Sequence, residues 1–339
     1  MVSRNLRIAA AMALLTGVVV ASTAGATAPP TSPPGSDAPG TSAAAADLST
    51  GEGAVIGFSQ ANNGDVWRIN QTNQVEQFCG ELMPDAEVIV TDGQGDASKQ
   101  SADVDDMIAQ GIDVLLLTPL TADELTPAAE RALAEGIPVI TLDRAVNAEV
   151  TQHIGADNKL IGETAAQFIA ETALGGEPGN IIEIQGVLGA SATTDRHDAF
   201  VAWLEENAPD VEIVESQTGE YRREPALTFM NDMLQRFGPG EFDVVYAHND
   251  EMALGAVQAL ETAERQDEAV VVGIDGQNEA IQAIADGRMA ATFTYDNAGQ
   301  QACESAQQLL SGLEIEPLWV LETNQIDETN AEEWIGKGF

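Results

Sequence analysis

Val139-Ile140-Thr141-Leu142-Asp143-Arg144 is an apolar, β-branched run that stops on a carboxylate and a guanidinium. Three further runs stop on polar groups in the same way: Ile181-Ile182-Glu183-Ile184-Gln185-Gly186, Val244-Val245-Tyr246-Ala247-His248-Asn249-Asp250 and Val271-Val272-Gly273-Ile274-Asp275-Gly276. Groups at the carboxyl ends of parallel strands line one crevice, so the four endings are expected to converge on a shared ligand. Carboxylate, guanidinium and carboxamide groups together are the donors and acceptors that a polyhydroxylated molecule needs, which points to sugar capture.

From Ala54 onward, short β-branched runs alternate with longer segments of helical period. Strands are expected over 54–59, 86–90, 114–118, 138–142, 180–185, 211–216, 244–247, 269–274 and 291–295, with helices between them over 98–110, 123–135, 159–172, 195–207, 251–264 and 298–311. This alternation predicts an α/β fold of parallel sheets covered by helices on both faces. So many strands would make one unusually wide sheet, so two doubly wound lobes are expected. A boundary falls at Gly155-Ala156-Asp157-Asn158, with no composition break or proline linker. A chain crossing between lobes more than once, as short extended segments, leaves no such break.

Residues 1–26 read as a secretory signal. Arg4 and Arg7 supply the positive start, the apolar stretch 8–20 is too short to span a bilayer, and Ala24-Gly25-Ala26 fits the cleavage pattern. Residues 27–52 are rich in Pro, Ser, Thr, Ala and Gly and form an expected disordered linker. No cysteine near the cleavage site offers a lipid attachment point, and no later segment is apolar enough to cross a membrane. A soluble mature chain, periplasmic or extracellular, is expected. The formal charge of −41, or −43 once Arg4 and Arg7 leave with the signal, repels nucleic acid and anionic lipid. The same acidity fits a salty habitat, where counter-ions screen self-repulsion, as well as it fits lineage bias. Cys79 and Cys303 fit either a disulfide or two buried thiols, and there is no CxxC redox pair.

Outside the signal there are nine arginines, and Arg68, Arg144, Arg196, Arg222 and Arg223 all follow expected strand ends. Their planar, paired donors suit sugar hydroxyls, and Asp143 or Asp275 would accept from the same hydroxyls. Trp67 and Tyr221 are placed to stack on the C–H face of a sugar, although Trp67 fits a core anchor for the first helix equally well. Two carboxylates suffice for glycoside cleavage, so Asp143 and Asp275 are also candidates for acid and base. Other catalytic signals are missing. Gly189-Ala190-Ser191-Ala192-Thr193 lacks the second glycine of a nucleophile elbow, and His153, His197 and His248 lack metal-ligand spacing. Phosphate-cradling motifs are absent too. A non-enzyme without metal or cofactor is expected, with His248 supporting the loop that carries Asn249.

At these residues the chain resembles the periplasmic sugar-binding proteins of ABC importers, of the ribose-binding type. The likeness rests on Gly57-Phe58-Ser59-Gln60 with Trp67-Arg68, Leu142-Asp143-Arg144, Ala156-Asp157-Asn158, Glu183-Ile184-Gln185-Gly186 leading to Gly189-Ala190-Ser191-Ala192 and Asp195-Arg196, Tyr246-Ala247-His248-Asn249-Asp250-Glu251-Met252, and Ile274-Asp275-Gly276. Trp67-Arg68 is most like the galactofuranose-binding members, whereas Asp65 and Val66 stand where ribose binders carry a phenylalanine pair, which counts against ribose itself.

The resemblance implies a monomer of two similar lobes, 53–156 plus 296–320 and 157–295 plus 321–339, joined by three crossovers with a monosaccharide in the cleft. It implies delivery of that sugar to an ABC permease or, alternatively, its presentation to a chemoreceptor or sensor kinase. Carried over, the ligand-binding set is Ser59, Asn63, Trp67, Arg68, Asp143 and Arg144 from the first lobe and Arg196, Tyr221, Asn249 and Asp275 from the second. Tyr295, at the third crossing, stands where ribose binders carry a glutamine. Placing Cys79 and Cys303 in one lobe, the resemblance favours their bridging. Lactose-repressor-type regulators share this fold but carry a DNA-binding helix-turn-helix where this chain has its export signal.

Overall fold

A computed structural model describes residues 51–339. The expected signal over 1–26 and the linker over 27–52 lie outside the described residues, except Gly51 and Glu52. Those two open a turn in which Gly51 is buried and its carbonyl accepts from Ala54 N at 2.9 Å.

The chain then runs β1 (Val55–Gln60), α1 (Val66–Leu82), β2 (Glu87–Asp92), α2 (Ala97–Gln110), β3 (Val114–Leu117), α3 (Ala122–Ala134), β4 (Val139–Leu142) and β5 (Gln152–Ala156). Every residue of β3 and β4 is buried, because a central parallel strand is covered on both faces and so reads as a continuous apolar run. A second series follows: α4 (Asn158–Gln167), β6 (Gly179–Gln185), α5 (Ser191–Asn207), β7 (Val211–Thr218), α6 (Arg223–Arg236), β8 (Val244–Ala247), α7 (Asp250–Thr262), β9 (Val270–Val272), α8 (Asn278–Ala285) and β10 (Ala291–Phe293). The chain ends with α9 (Gly299–Leu310), β11 (Leu318–Leu321), β12 (Gln325–Asp327) and α10 (Ala331–Trp334).

Two six-stranded sheets result, in the orders β11-β5-β4-β3-β1-β2 and β12-β10-β9-β8-β6-β7. All pairings are parallel except β10 with β12. In each sheet the strand order reverses beside the first strand of its series, and a ligand crevice opens beyond the carboxyl ends at such a point. The chain passes between sheets after β5, after β10 and after β11. Tyr295 therefore stands in the second crossing rather than the third, because α9 returns to the first lobe, against α1, before β11 leaves it again. The lobes also touch: Ala145 N donates to Ser191 Oγ at 2.9 Å and Ala122 N to Gly189 O at 3.1 Å.

Three strands, β5, β11 and β12, were not expected. Gln152-His153-Ile154-Gly155-Ala156 lacks an apolar run, and β11 is an edge strand that leaves Leu318 and Val320 exposed. β12 has only three residues. The helix expected over 159–172 is α-helical to Gln167 and continues as a π-helical turn from Phe168 to Ala173. Cys79 of α1 and Cys303 of α9, both fully buried, are joined in a disulfide across 224 residues of chain.

Candidate functional site

Three of the four polar strand endings meet, those carrying Asp143 and Arg144, Asn249, and Asp275, whereas the ending at Gln185-Gly186 stays outside the cavity lining. A cavity with about 310 Å³ of atom-free space is lined by Trp67, Arg68, Asp143, Arg144, Arg196, Tyr221, Asn249, Asp275 and Tyr295, joined by Asp65 and Ala192.

Helix starts position much of the lining. Asp65 caps α1, its carboxylate accepting from Arg68 N at 2.8 Å, which turns Trp67 and Arg68 inward on the first turn. Trp67 anchors the start of α1 and also lines the cavity. It is buried and donates its Nε1–H to the Tyr295 carbonyl at 3.0 Å, yet its ring also forms cavity wall, with the Arg68 guanidinium 4.6 Å from its centre. Asn249 caps α7 by accepting from Met252 N at 3.0 Å and donates to the Tyr221 carbonyl at 3.2 Å. Its amide is thus largely committed, with one N–H left over.

Asp143 is held from three sides. Arg68 Nη2 lies 2.6 Å from its Oδ2, Arg144 Nε lies 3.6 Å away, and the Tyr295 hydroxyl donates to Oδ1 at 2.6 Å. Burial works against its charge, but Arg68, Arg144 and the Tyr295 hydroxyl outweigh that and hold its pKa below the usual carboxylate range. Arg144 donates to the Leu120 carbonyl at 2.9 Å, and burial together with Arg68 brings its pKa down to about 10.

From the second lobe, Arg196 donates Nε–H to Asn158 Oδ1 at 2.8 Å and Nη1–H to the His248 carbonyl. Its guanidinium carbon lies 4.4 Å from the centre of the Tyr295 ring. Burial opposes its charge, while Tyr221, Tyr295 and Asp275 push its pKa up. Asp275 differs from Asp143. Among the described residues nothing donates a hydrogen bond to its carboxylate, and burial beside Asp250 raises its pKa well above normal, with Arg196 only partly offsetting this. Asp250 fixes the loop that carries it, accepting from Thr292 Oγ1 at 2.7 Å and Gln277 N at 2.9 Å. Tyr221 lies against Gly186, where an added Cβ would stand 1.9 Å from its ring. Its hydroxyl is 2.8 Å from Thr193 Oγ1.

Some expected residues lie elsewhere. Ser59 is buried at the end of β1 with its hydroxyl unpaired, outside the cavity lining. Asn63 is also outside and accepts from Thr72 Oγ1 at 2.9 Å. Arg222 pairs with Glu220, and Arg223 pairs with Glu251 at 2.9 Å and Glu279 at 2.8 Å, so these two neutralise local carboxylates. Asp65 and Asn158 were missed as contributors. Asp65 carries a readable signal, an aspartate three residues before Arg68 at a helix start, whereas the bridge from Asn158 to Arg196 and Tyr295 joins three distant segments.

Residues 56–314 match the model of the periplasmic binding protein domain. The ribose import binding protein of Bacillus subtilis is 37% identical over 232 residues, 68% of this chain and 73% of that protein. The galactofuranose-binding protein of Escherichia coli is 30% identical over 253 residues, 73% of this chain and 78% of that one. A solved ABC transporter solute-binding protein from Mycobacterium smegmatis, with bound glycerol, superposes with a TM-score of 0.78 at 36% identity, covering 84% of this chain and 97% of its own. With two wound lobes, three crossings and a polar cavity between strand ends, the chain belongs to the periplasmic binding protein family.

Proposed function

We propose that the protein captures one neutral monosaccharide in this cleft and, exported from the cytoplasm, hands it to the permease of an ABC importer. The observation that carries the reading is the Asp275 carboxylate, buried at the cavity wall with no protein donor, opposite guanidinium groups from both lobes. A sugar hydroxyl would supply the missing donor. The lining interleaves Arg68, Arg144 and Arg196 with the carboxyl groups of Asp65, Asp143 and Asp275, the mixture of donors and acceptors that a polyhydroxylated ligand needs. Galactofuranose is a specific candidate because the Trp67-Arg68 motif is like that of its binding proteins.

The protein is not an enzyme. The relatives it matches, the ribose import binding protein and the galactofuranose-binding protein, are binding proteins. The test is a thermal-shift panel of pentoses and hexoses that includes galactofuranose and uronic acids. A ligand held only by the native state adds about 2.7 kcal/mol at a hundredfold excess over Kd. The expected outcome is a shift of several degrees with one neutral sugar and none with the uronates. A panel flat for every sugar would remove the reading.

A further inference from the structure

Behind the cavity wall, near the end of β6, the buried carboxylate of Glu183 gathers side chains from three neighbouring elements. His248 Nε2, from the turn after β8, lies 3.0 Å from Oε1. His197 Nδ1, from α5, lies 2.8 Å from Oε1 and 3.0 Å from Oε2. Ser216 Oγ, from β7, donates to Oε2 at 2.6 Å, and Gln185 Nε2 donates to the same oxygen at 3.0 Å. Glu183 does not line the cavity, and neither histidine does.

Each histidine is the chain neighbour of a cavity residue. His197 follows Arg196, His248 precedes Asn249, and the carbonyl of His248 itself accepts from Arg196 Nη1. One buried anion thus ties α5 to the β8–α7 turn, the two segments that present the second lobe's guanidinium and amide.

We infer that Glu183 is a positioning residue: through His197 and His248 its carboxylate sets Arg196 and Asn249 at the cavity wall. The ligand involved rests on the sugar-binding reading, whereas the anchoring does not.

The electrostatics agree. Burial opposes ionisation of Glu183, but hydrogen bonds from His197, His248 and Ser216 hold its pKa far below the ordinary range. The Glu183 bond raises the pKa of half-buried His197, against burial and with help from Asp198, whereas burial lowers that of His248, which stays neutral next to Arg196. The remaining titratable neighbour is Tyr246 of β8, whose phenol is kept protonated by burial and by Glu183. His197 is therefore the group that titrates, and raising the pH through its elevated pKa converts a charged bond to a neutral one.

The test compares the full-length wild type with Glu183→Gln, Glu183→Asp and His248→Gln, following the Arg196 Nε–H and His197 ring signals by NMR without sugar. Affinity for D-ribose, D-galactose and galactofuranose is then measured across the pH range where His197 titrates. Glu183→Gln is expected to move the Arg196 signal, lower the His197 midpoint and weaken binding about tenfold, about 1.4 kcal/mol. The pH step of the wild type should vanish in Glu183→Gln and partly return in Glu183→Asp. An unmoved Arg196 signal with unchanged affinity in a folded Glu183→Gln protein would overturn the inference. If Glu183→Gln does not fold, His248→Gln, which cuts the same tie and keeps the carbonyl, decides by the same two outcomes. A wild type that binds none of the sugars removes the sugar reading, and the Arg196 and His197 signals still decide the anchor.

Discussion

Asp143 and Asp275 bring the same functional group to one cavity under opposite conditions. Asp143 lies between two guanidinium groups and the Tyr295 hydroxyl, and its lowered pKa stabilises the fold above the ordinary carboxylate range, a contribution lost as pH falls through its folded value. Asp275 has a raised pKa, so the folded state holds a proton that the unfolded chain has released, and stability falls as pH climbs through that window. Asp275→Asn should therefore raise the melting temperature of the sugar-free protein in neutral and alkaline buffer while weakening sugar binding about tenfold or more, given the penalty for mispaired polar groups. Melting curves at two pH values and a calorimetric titration check both halves. An unchanged melting temperature would show that burying the Asp275 carboxyl carries no such cost. Backbone strain gathers at the same place: Asp143 has φ 64°, Tyr221 φ 60° and Asp275 φ 132°. Such conformations cost of order 1–3 kcal/mol each and persist where their surroundings over-determine them. The identities of these residues were legible because charged side chains ending apolar runs are conspicuous. Their protonation and strain were not, because both depend on neighbours far away in the chain.

At the scale of elements, the cavity is assembled from starts of helices and ends of strands. α1 and α9 illustrate how such an end is held. Asn297 Nδ2 donates to the Trp67 carbonyl at 3.1 Å, Gln71 Nε2 donates to the Asn297 carbonyl at 2.7 Å, and the Cys79–Cys303 disulfide pins the helices farther along. Replacing both cysteines by serine should cost about 2–5 kcal/mol of stability, the usual effect of removing a native cross-link. Chemical denaturation of oxidised wild type and variant measures it, and coincident curves would refute it. Nine strands and six helices were legible in the apolar pattern, whereas α6, α8 and α10 were not singled out. β5, β11 and β12 were missed because a short or edge strand is specified by the partner it pairs with and carries little pattern of its own.

The whole molecule is two lobes meeting over one small cavity, wrapped in an extremely acidic surface. With a formal charge of −41, like-charge repulsion across the surface opposes compactness, and it is screened over about 10 Å at 0.1 M salt and about 3 Å at 1 M. Raising sodium chloride from low millimolar to about 1 M should raise the melting temperature markedly. A neutral sugar's affinity should change much less, because the buried pairs of the cavity are poorly screened. Scanning calorimetry and titration over a salt series test this, and a salt-insensitive melting temperature would count against a repulsion-limited fold.

The sequence by itself determined the alternation of strand and helix, the doubly wound lobes and most of the cavity's membership, because burial periodicity and polar strand endings are local properties of the chain. Only the tertiary structure decided that the cysteines are bridged, that Arg222 and Arg223 serve the surface, that Asp275 lacks a donor while Asp143 has the Tyr295 hydroxyl and the Arg68 ion pair, and that Glu183 ties two cavity-bearing segments together. Each of those depends on which groups from distant stretches come within hydrogen-bond reach, and that proximity is set by the packing of whole lobes.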